Sequence, residues 1–352
     1  MRLVRGAARL SWCQDGPVSN LDQHPTEHET GSTVALALRR DVLAGRDVPL
    51  GKYSTVNRLL PHTNRRLVGA WCFLDHFGPD AILAGPGMQV PPHPHCGLQT
   101  VTWLLDGEVL HRDSVGSLAM IRPGQLNLMT AGHGIAHSEQ SPDGHGPSLH
   151  GLQLWIALPA AEAAGPSRFE HHADLPTTSS GGAHVTVVVG SLGRLTSPAR
   201  VHTPIVGVDV RLEEGASTTV PLRADWEYAV IVMAGTADVA DGTLQPGALC
   251  YLGTGRDALA MSTASGARVF LLGGQPFTDE LVMWWNFVGR SHEEIVAARE
   301  AWMSGSAVAG APVADDRFGS VHGYDGPPLL APDMPTTRLK PRDRHGRSMP
   351  GA

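Results

Sequence analysis

The chain predicts an all-β fold of two similar barrels, followed by one short helix near its C-terminus. Three observations predict it. Glycine and proline supply 41 and 27 of the 352 residues, which favours many short strands and turns over long helices. From about Val34, short apolar or alternating runs recur: "LVGAWCFLDHFGP", "LQTVTWLLDGEVLHRD", "SLAMIRPGQLNLMT" and "GIAHSEQ". They are punctuated by Asp106-Gly107, Pro123-Gly124 and a Gly-rich turn before Ile135, the spacing expected of a sandwich or barrel. A second block, from about His184 ("HVTVVVG") to Leu272 ("ARVFLLGG"), repeats that grammar. Each block has an apolar strand ending in Gly, a short strand, then Pro-Gly and another apolar strand, so one β-unit is present twice.

The elements follow in order. Residues 1–35 are polar and patternless, and are expected to be disordered. Residues 36–165 form the first barrel unit. The segment Leu158 to Ala183 reads as a linker. Residues 166–303 form the second unit and end in "SHEEIVAAREAW", where Ser291 and Glu294 make a capping box and Ile295, Ala298 and Trp302 an apolar stripe. Residues 304–352 read as a loop-rich tail. Two domains also agree with the length, and 42% apolar residues are ample for two cores.

Charge and cysteines narrow the function classes. The net charge is −7 and the body carries no basic block, which argues against direct nucleic-acid binding or an anionic membrane. Only Arg338 to Arg347 is locally basic, and it reads as a solvated tail. Cys13, Cys72, Cys96 and Cys250 are dispersed with no CxxC, so neither a disulfide framework nor a structural zinc site is expected. No apolar run approaches the ~18 residues of a membrane span, and no apolar segment follows Arg2, Arg5 and Arg9. A reducing cytoplasm is the expected location.

The chemistry sits in "VPPHPHCGLQTV", Val90 to Val101. On a strand, residues i and i+2 share a face, so His93 and His95 aim side by side while Pro94 points away. Forty-two residues beyond His95, His137 and Glu139 repeat the i, i+2 arrangement on a second expected strand. With 18 histidines in the chain, one His-x-His arises readily by chance, and buried histidines are usually just hydrogen-bonded. Two such pairs in one β-unit weigh more. Three imidazole nitrogens and a carboxylate oxygen suit one divalent first-row metal at ~2.0–2.2 Å. With no thiolate and room for open positions, Fe(II) fits better than structural zinc. The second unit carries no such pairs, which places any metal in the first.

At these residues the chain resembles the pirin family of the cupin superfamily. The motifs are "HPHCGLQTVTWLLDGEVLHRDS", "IRPGQLNLMTAGHGIAHSE" and "HGLQLWIALP", with "FLDHFGP" and "FEHHADLP" similar as well. The resemblance implies a bicupin, two stacked cupin-type β-barrels with iron in the N-terminal one. It also implies His93, His95, His137 and Glu139 as the ligands. Where the family carries Arg and then Glu, this chain has Cys96 and Gln99. Cys96 should face away from the metal as a small packing residue. Gln99, sharing the parity of His95, should face the pocket and hydrogen-bond a ligand or substrate, though it cannot serve as a base. By the same parity Val101, Trp103 and Leu105 should form the apolar wall. His111, His133, His145 and His150 read as surface or supporting residues, and Trp284 and Trp285 as domain packing.

The resemblance implies two functions of different class. One is a quercetin 2,3-dioxygenase-like enzyme that cleaves a flavonol-like small molecule with O2 and releases carbon monoxide. Glu139 would then be the general base. The other is a non-enzymatic iron protein whose oxidation state alters a surface read by a regulatory protein partner.

Overall fold

Strands carry most of the chain, as its alternating runs require. The computed structural model describes residues 38–50 and 54–345, so the disorder expected of residues 1–35 lies outside the described residues. In the first half, a seven-stranded sheet runs in the order Arg168–His172, Leu126–Thr130, Leu98–Asp106, Ser148–Ala157, Trp71–Ala81, Ser54–Leu60, Arg46–Leu50. It faces a four-stranded sheet ordered Gln89–His95, Ile135–Gln140, Val109–Asp113, Leu118–Ile121. The second half repeats the plan, an eight-stranded sheet against the four strands Ser217–Pro221, Ala258–Ser262, Ala237–Val239 and Thr243–Leu244. All the strand pairs among the described residues are antiparallel, and in each half the large and the small sheet together make a β-barrel.

The barrels exchange edge strands. Asp41–Ala44, which the sequence places with the first unit, pairs with Ala248–Gly253 of the second. Arg168–His172, placed with the second unit, pairs with Leu126–Thr130 of the first. Both are short strands at sheet edges, where unpaired N–H and C=O groups accept whichever chain passes.

The two large sheets pack on each other across a shared core. Trp71, Leu74, Trp103, Leu152 and Leu154 meet Val188, Ile205, Ile231, Phe270 and Leu272. Polar ties cross it where ring nitrogens and amides would otherwise be stranded. Trp103 Nε1 donates to Asp209 Oδ2 at 2.8 Å, and the Gly69 amide to Glu227 Oε1 at 2.8 Å. The central strands are therefore buried on both faces, one toward the partner barrel and one toward their own interior.

The second barrel's interior is filled by aliphatic side chains, Val208, Val210, Val230, Leu252 and Val269 among them. The first barrel's interior is apolar only at one end, around Phe77, Met88, Val90, Leu104 and Val109.

The expected helix spans His292–Ser304 and buries Ile295, Ala298 and Trp302. Ser291 Oγ accepts from the Glu294 amide at 3.2 Å. The capping box is only half made, because Glu294 Oε2 takes the Arg290 amide at 2.8 Å. Beyond the helix, the chain has one short helical turn, Ser306–Ala309, and is then irregular. It packs back on the first barrel through Phe318 and Ala331. No helix among the described residues is long and apolar enough to cross a membrane.

Candidate metal centre and its cavity

Gln89–His95 tolerates three prolines because it is the edge of its sheet, where a missing N–H costs no ladder bond; its one neighbour is Ile135–Gln140. His137 lies directly opposite His93 in that pairing, and His95 opposite Ile135. The ring centroids stand 4.9 Å apart for His93–His95, 4.4 Å for His93–His137 and 5.0 Å for His95–His137. One nitrogen from each of the three lies within 4.8 Å of the others, and all three residues are buried. The same limit groups Glu139 with His137 and His111, not with His93 and His95. A register shift between His137 and Glu139, which brings Glu139 opposite Val90, accompanies the offset.

Hydrogen bonds decide which nitrogen each imidazole offers. His93 Nδ1 meets Pro91 O at 2.8 Å and His95 Nδ1 meets Asn286 O at 3.1 Å. A carbonyl only accepts, so each Nδ1 carries the proton and each Nε2 is a bare lone pair. His137 is set through a neighbour. Asp113 Oδ2 lies 3.2 Å from His111 Nε2, and His111 Nδ1 lies 3.5 Å from His137 Nδ1. That separation is at the long limit of a hydrogen bond; it makes Nδ1 the His137 nitrogen that faces protein and leaves Nε2 for a ligand.

His137 Nε2 is buried with no hydrogen-bond partner. An unsatisfied buried acceptor costs about 1–3 kcal/mol, and a cation is the partner that such a nitrogen, beside two others like it, accommodates. Burial pushes His93 down to about 4 and His95 and His137 well below the usual imidazole value. All three are thus neutral, the form that ligates. The donor set fits a divalent first-row metal.

Glu139 is held by one oxygen. Its Oε1 accepts from Gln153 Nε2 at 3.3 Å and lies 3.2 Å from Thr102 Oγ1, whose single proton is shared with the nearer Gln153 Oε1 at 2.8 Å; no hydrogen bond to Oε2 occurs among the described residues. Burial raises its pKa against the opposing pull of His111, Thr102 and Gln153. Asp113 behaves the other way. Burial pushes it up, but hydrogen bonds from His111 and the Ser117 amide prevail and hold it below the usual carboxylate range.

His93, His95 and Glu139 open on a cavity of about 320 Å³ that Thr102, Gln153 and Arg58 also line. The size suits a small organic ligand. Its walls are largely aromatic and apolar: Phe73, Phe77, Met88, Trp155, Trp285 and Leu329.

Several expectations need correction. Gln99 does not face the cavity. It is fully buried, and its Nε2 donates to Thr130 Oγ1 and Arg200 O, both at 2.9 Å. Val101 and Trp103 face the other barrel, and Thr102 faces the site. The cause is Gly97, at φ +71° between the strands Gln89–His95 and Leu98–Asp106. It interrupts the alternation, so parity counted from His95 does not carry across. A Cβ there would stand 2.1 Å from Val288 O, so only glycine fits.

Cys96 packs against Ala136, Phe287 and Trp302, with burial pushing its thiol up to about 11. His111 is buried against His137, while His150 pairs with His76, Nε2 to Nε2 at 2.8 Å. His133 is exposed and His145 half-buried. Trp285, expected in domain packing, lines the cavity. Sequence reasoning also missed Gln153, Thr102 and Arg58. Gln153, a lone amide inside "LQLWIAL", was the available signal.

Comparison with known proteins bears on the fold and the family. The family model described as Pirin matches residues 53–156, and that of the Pirin C-terminal cupin domain matches residues 207–308. A Pseudomonas aeruginosa protein, provisionally named quercetin 2,3-dioxygenase, is 45% identical over 83% of this chain and 90% of its own. A Caulobacter vibrioides pirin-like protein is 38% identical over 75% of this chain and 93% of its own. The crystal structure of a quercetin 2,3-dioxygenase from Acinetobacter baumannii superposes with a TM-score of 0.79 at 41% identity, covering 85% of this chain and 97% of that one.

Proposed function

Because the chain belongs to the pirin family, we propose that it is a metal-dependent dioxygenase of the quercetin 2,3-dioxygenase type, with Fe(II) as its metal and a flavonol-like substrate. The observation that carries this reading is the meeting of three bare imidazole nitrogens with a half-free carboxylate at the wall of an aromatic-lined cavity. His93, His95 and His137 would hold the ion by Nε2, with Glu139 as the fourth ligand. The ion would supply Lewis acidity toward a substrate oxygen and the redox capacity that O2 chemistry requires.

The chain's own residues do the rest. Glu139 lines the cavity, and its free Oε2 can take the proton of a substrate hydroxyl, helped by the raised pKa that burial gives it. Gln153, itself tied to Thr102 at 2.8 Å, holds the carboxylate by its other oxygen, so Oε2 does not swing away. Trp155, stacked on Phe73 with centroids 4.0 Å apart, offers a flat surface to planar rings, and the apolar lining excludes water.

The test is to load purified protein with Fe(II) without oxygen, then mix it with quercetin and O2. Flavonol absorbance and dissolved O2 should fall together, with carbon monoxide released. If neither falls while iron is bound stoichiometrically, the enzymatic reading fails. The better account is then an iron protein whose oxidation state is read by a regulatory protein partner.

A further inference from the structure

A polar row crosses the floor of the cavity. Arg58 lies opposite Asp75, Asp75 opposite Gln153, and Gln153 opposite Thr102. Directly opposed residues share a face of the sheet, so these four side chains stand in line on the cavity side. Thr102 and Gln153, at one end, are tied to each other and to Glu139. Arg58, at the other, touches no candidate ligand. Two strand spacings, about 10 Å, separate its backbone from that of Gln153.

Arg58 is held rigidly. Its Nε and Nη2 each donate to Asp75 at 2.8 Å, and its guanidinium carbon sits 4.5 Å from the centre of the Phe73 ring. The remaining group, Nη1 with its two N–H bonds, makes no hydrogen bond to protein among the described residues, and Arg58 lines the cavity. Because Asp75 already balances its charge, the free donors call for a neutral oxygen acceptor more than for an anion. Aromatic contacts link the two ends. His95 stands 5.0 Å from Trp155, Trp155 is stacked on Phe73, and Phe73 underlies Arg58.

We propose that Arg58 is a specificity-determining residue, selecting planar aromatic substrates that carry a phenol or carbonyl oxygen on the ring farthest from the metal end of the cavity. This rests on the flavonol reading above. It adds that a bare flavonol is a poor ligand and a polyhydroxylated one a good ligand.

Two probes separate the claims: quercetin, and 3-hydroxyflavone, which keeps the 3-hydroxyl and 4-carbonyl but lacks the other hydroxyls. Affinities are read under anaerobic conditions from quenching of tryptophan fluorescence in Fe(II)-loaded protein, with iron measured in the same sample. Wild type should bind quercetin about 10-fold more tightly, the worth of a hydrogen bond from a charged donor. Replacing Arg58 alone would strand the buried Asp75, so the informative variant is Arg58→Met/Asp75→Leu. In it the preference should fall to within about 2-fold, with 3-hydroxyflavone affinity and iron content little changed. Should that variant fail to fold, Arg58→Lys keeps a charge for Asp75 but loses the fork, and should cut the preference alone. Equal wild-type affinities, or a preference that survives both changes, would overturn the role of Arg58 and leave the flavonol reading standing. Binding of neither probe would overturn both.

Discussion

The buried pair His76–His150 makes acid stability a test of the packing. Burial, assisted by the neighbouring His150, holds His76 at about 4 against the 6.5 of an ordinary imidazole. As pH falls, the unfolded chain takes up this proton first. The stability His76 contributes is complete above about pH 6.5 and is lost progressively down to about pH 4. A gap of about 2.5 units corresponds to about 3 kcal/mol in full, and about 2 kcal/mol is already gone by about pH 5. The assay is urea unfolding of metal-free protein at about pH 7 and pH 5, for wild type and for His76→Gln. The ligand histidines contribute a pH dependence of the same sign, but it is common to both proteins and cancels in the difference. Wild type should lose about 2 kcal/mol more than the variant over this interval. Equal losses would mean that His76 titrates normally in the folded state, and the buried, neutral pair would be refuted.

Other expectations follow from single contacts. Glu139→Gln should keep a fair fraction of bound iron while turnover per bound iron drops by roughly 10²–10⁴-fold; a rate per iron near wild type would make Glu139 a ligand only. Asp113→Asn removes the acceptor that orients His111 and should weaken metal affinity by about 10–100-fold, measured by competition with a chelator; unchanged affinity would disprove the relay to His137. Cys96→Ser should leave one metal equivalent per chain by elemental analysis, since the thiol packs on Phe287 and not among the imidazoles. Trp103→Phe, which breaks the tie to Asp209, should cost about 1–3 kcal/mol of stability with metal content intact; loss of metal would place residue 103 on the wrong face.

The sequence discloses most where period and chemistry coincide. The trio His93, His95 and His137 is legible because parity is reliable within a strand, whereas the register shift that offsets Glu139 from His93 and His95 is not. Parity failed between His95 and Gln99 because Gly97 adopts a backbone conformation that belongs to neither strand. No count along the chain reveals that reset, although an isolated Gly inside a strand pattern is a signal of a bulge. Arg58, Asp75 and Gln153 were illegible for another reason. Their proximity is a matter of sheet order, in which residues 58, 75 and 153 are cross-strand neighbours, and order is settled by long-range packing. The exchanged strands Asp41–Ala44 and Arg168–His172 escaped the same way, since an edge strand's partner is not written in its own residues.

The second half of the chain has no ligand pairs, yet the first barrel's site is incomplete without it. The carbonyl that fixes the His95 proton belongs to Asn286, and Trp285 beside it forms part of the cavity wall. Leu329, in the stretch expected as a loose tail, lines the cavity and donates its amide to Pro92 O at 2.8 Å, one residue before His93. The His-bearing strand is an edge strand poor in N–H groups, with a sheet partner on one side only. Such a strand holds two imidazoles in register only if something braces its open side. Here the braces are the bond from Leu329, the Asn286 carbonyl, and the Val288 amide donating to Cys96 O at 3.1 Å. The C-terminal segments therefore act on the candidate metal centre directly, by fixing the tautomer of His95 and the path of the strand that carries His93 and His95.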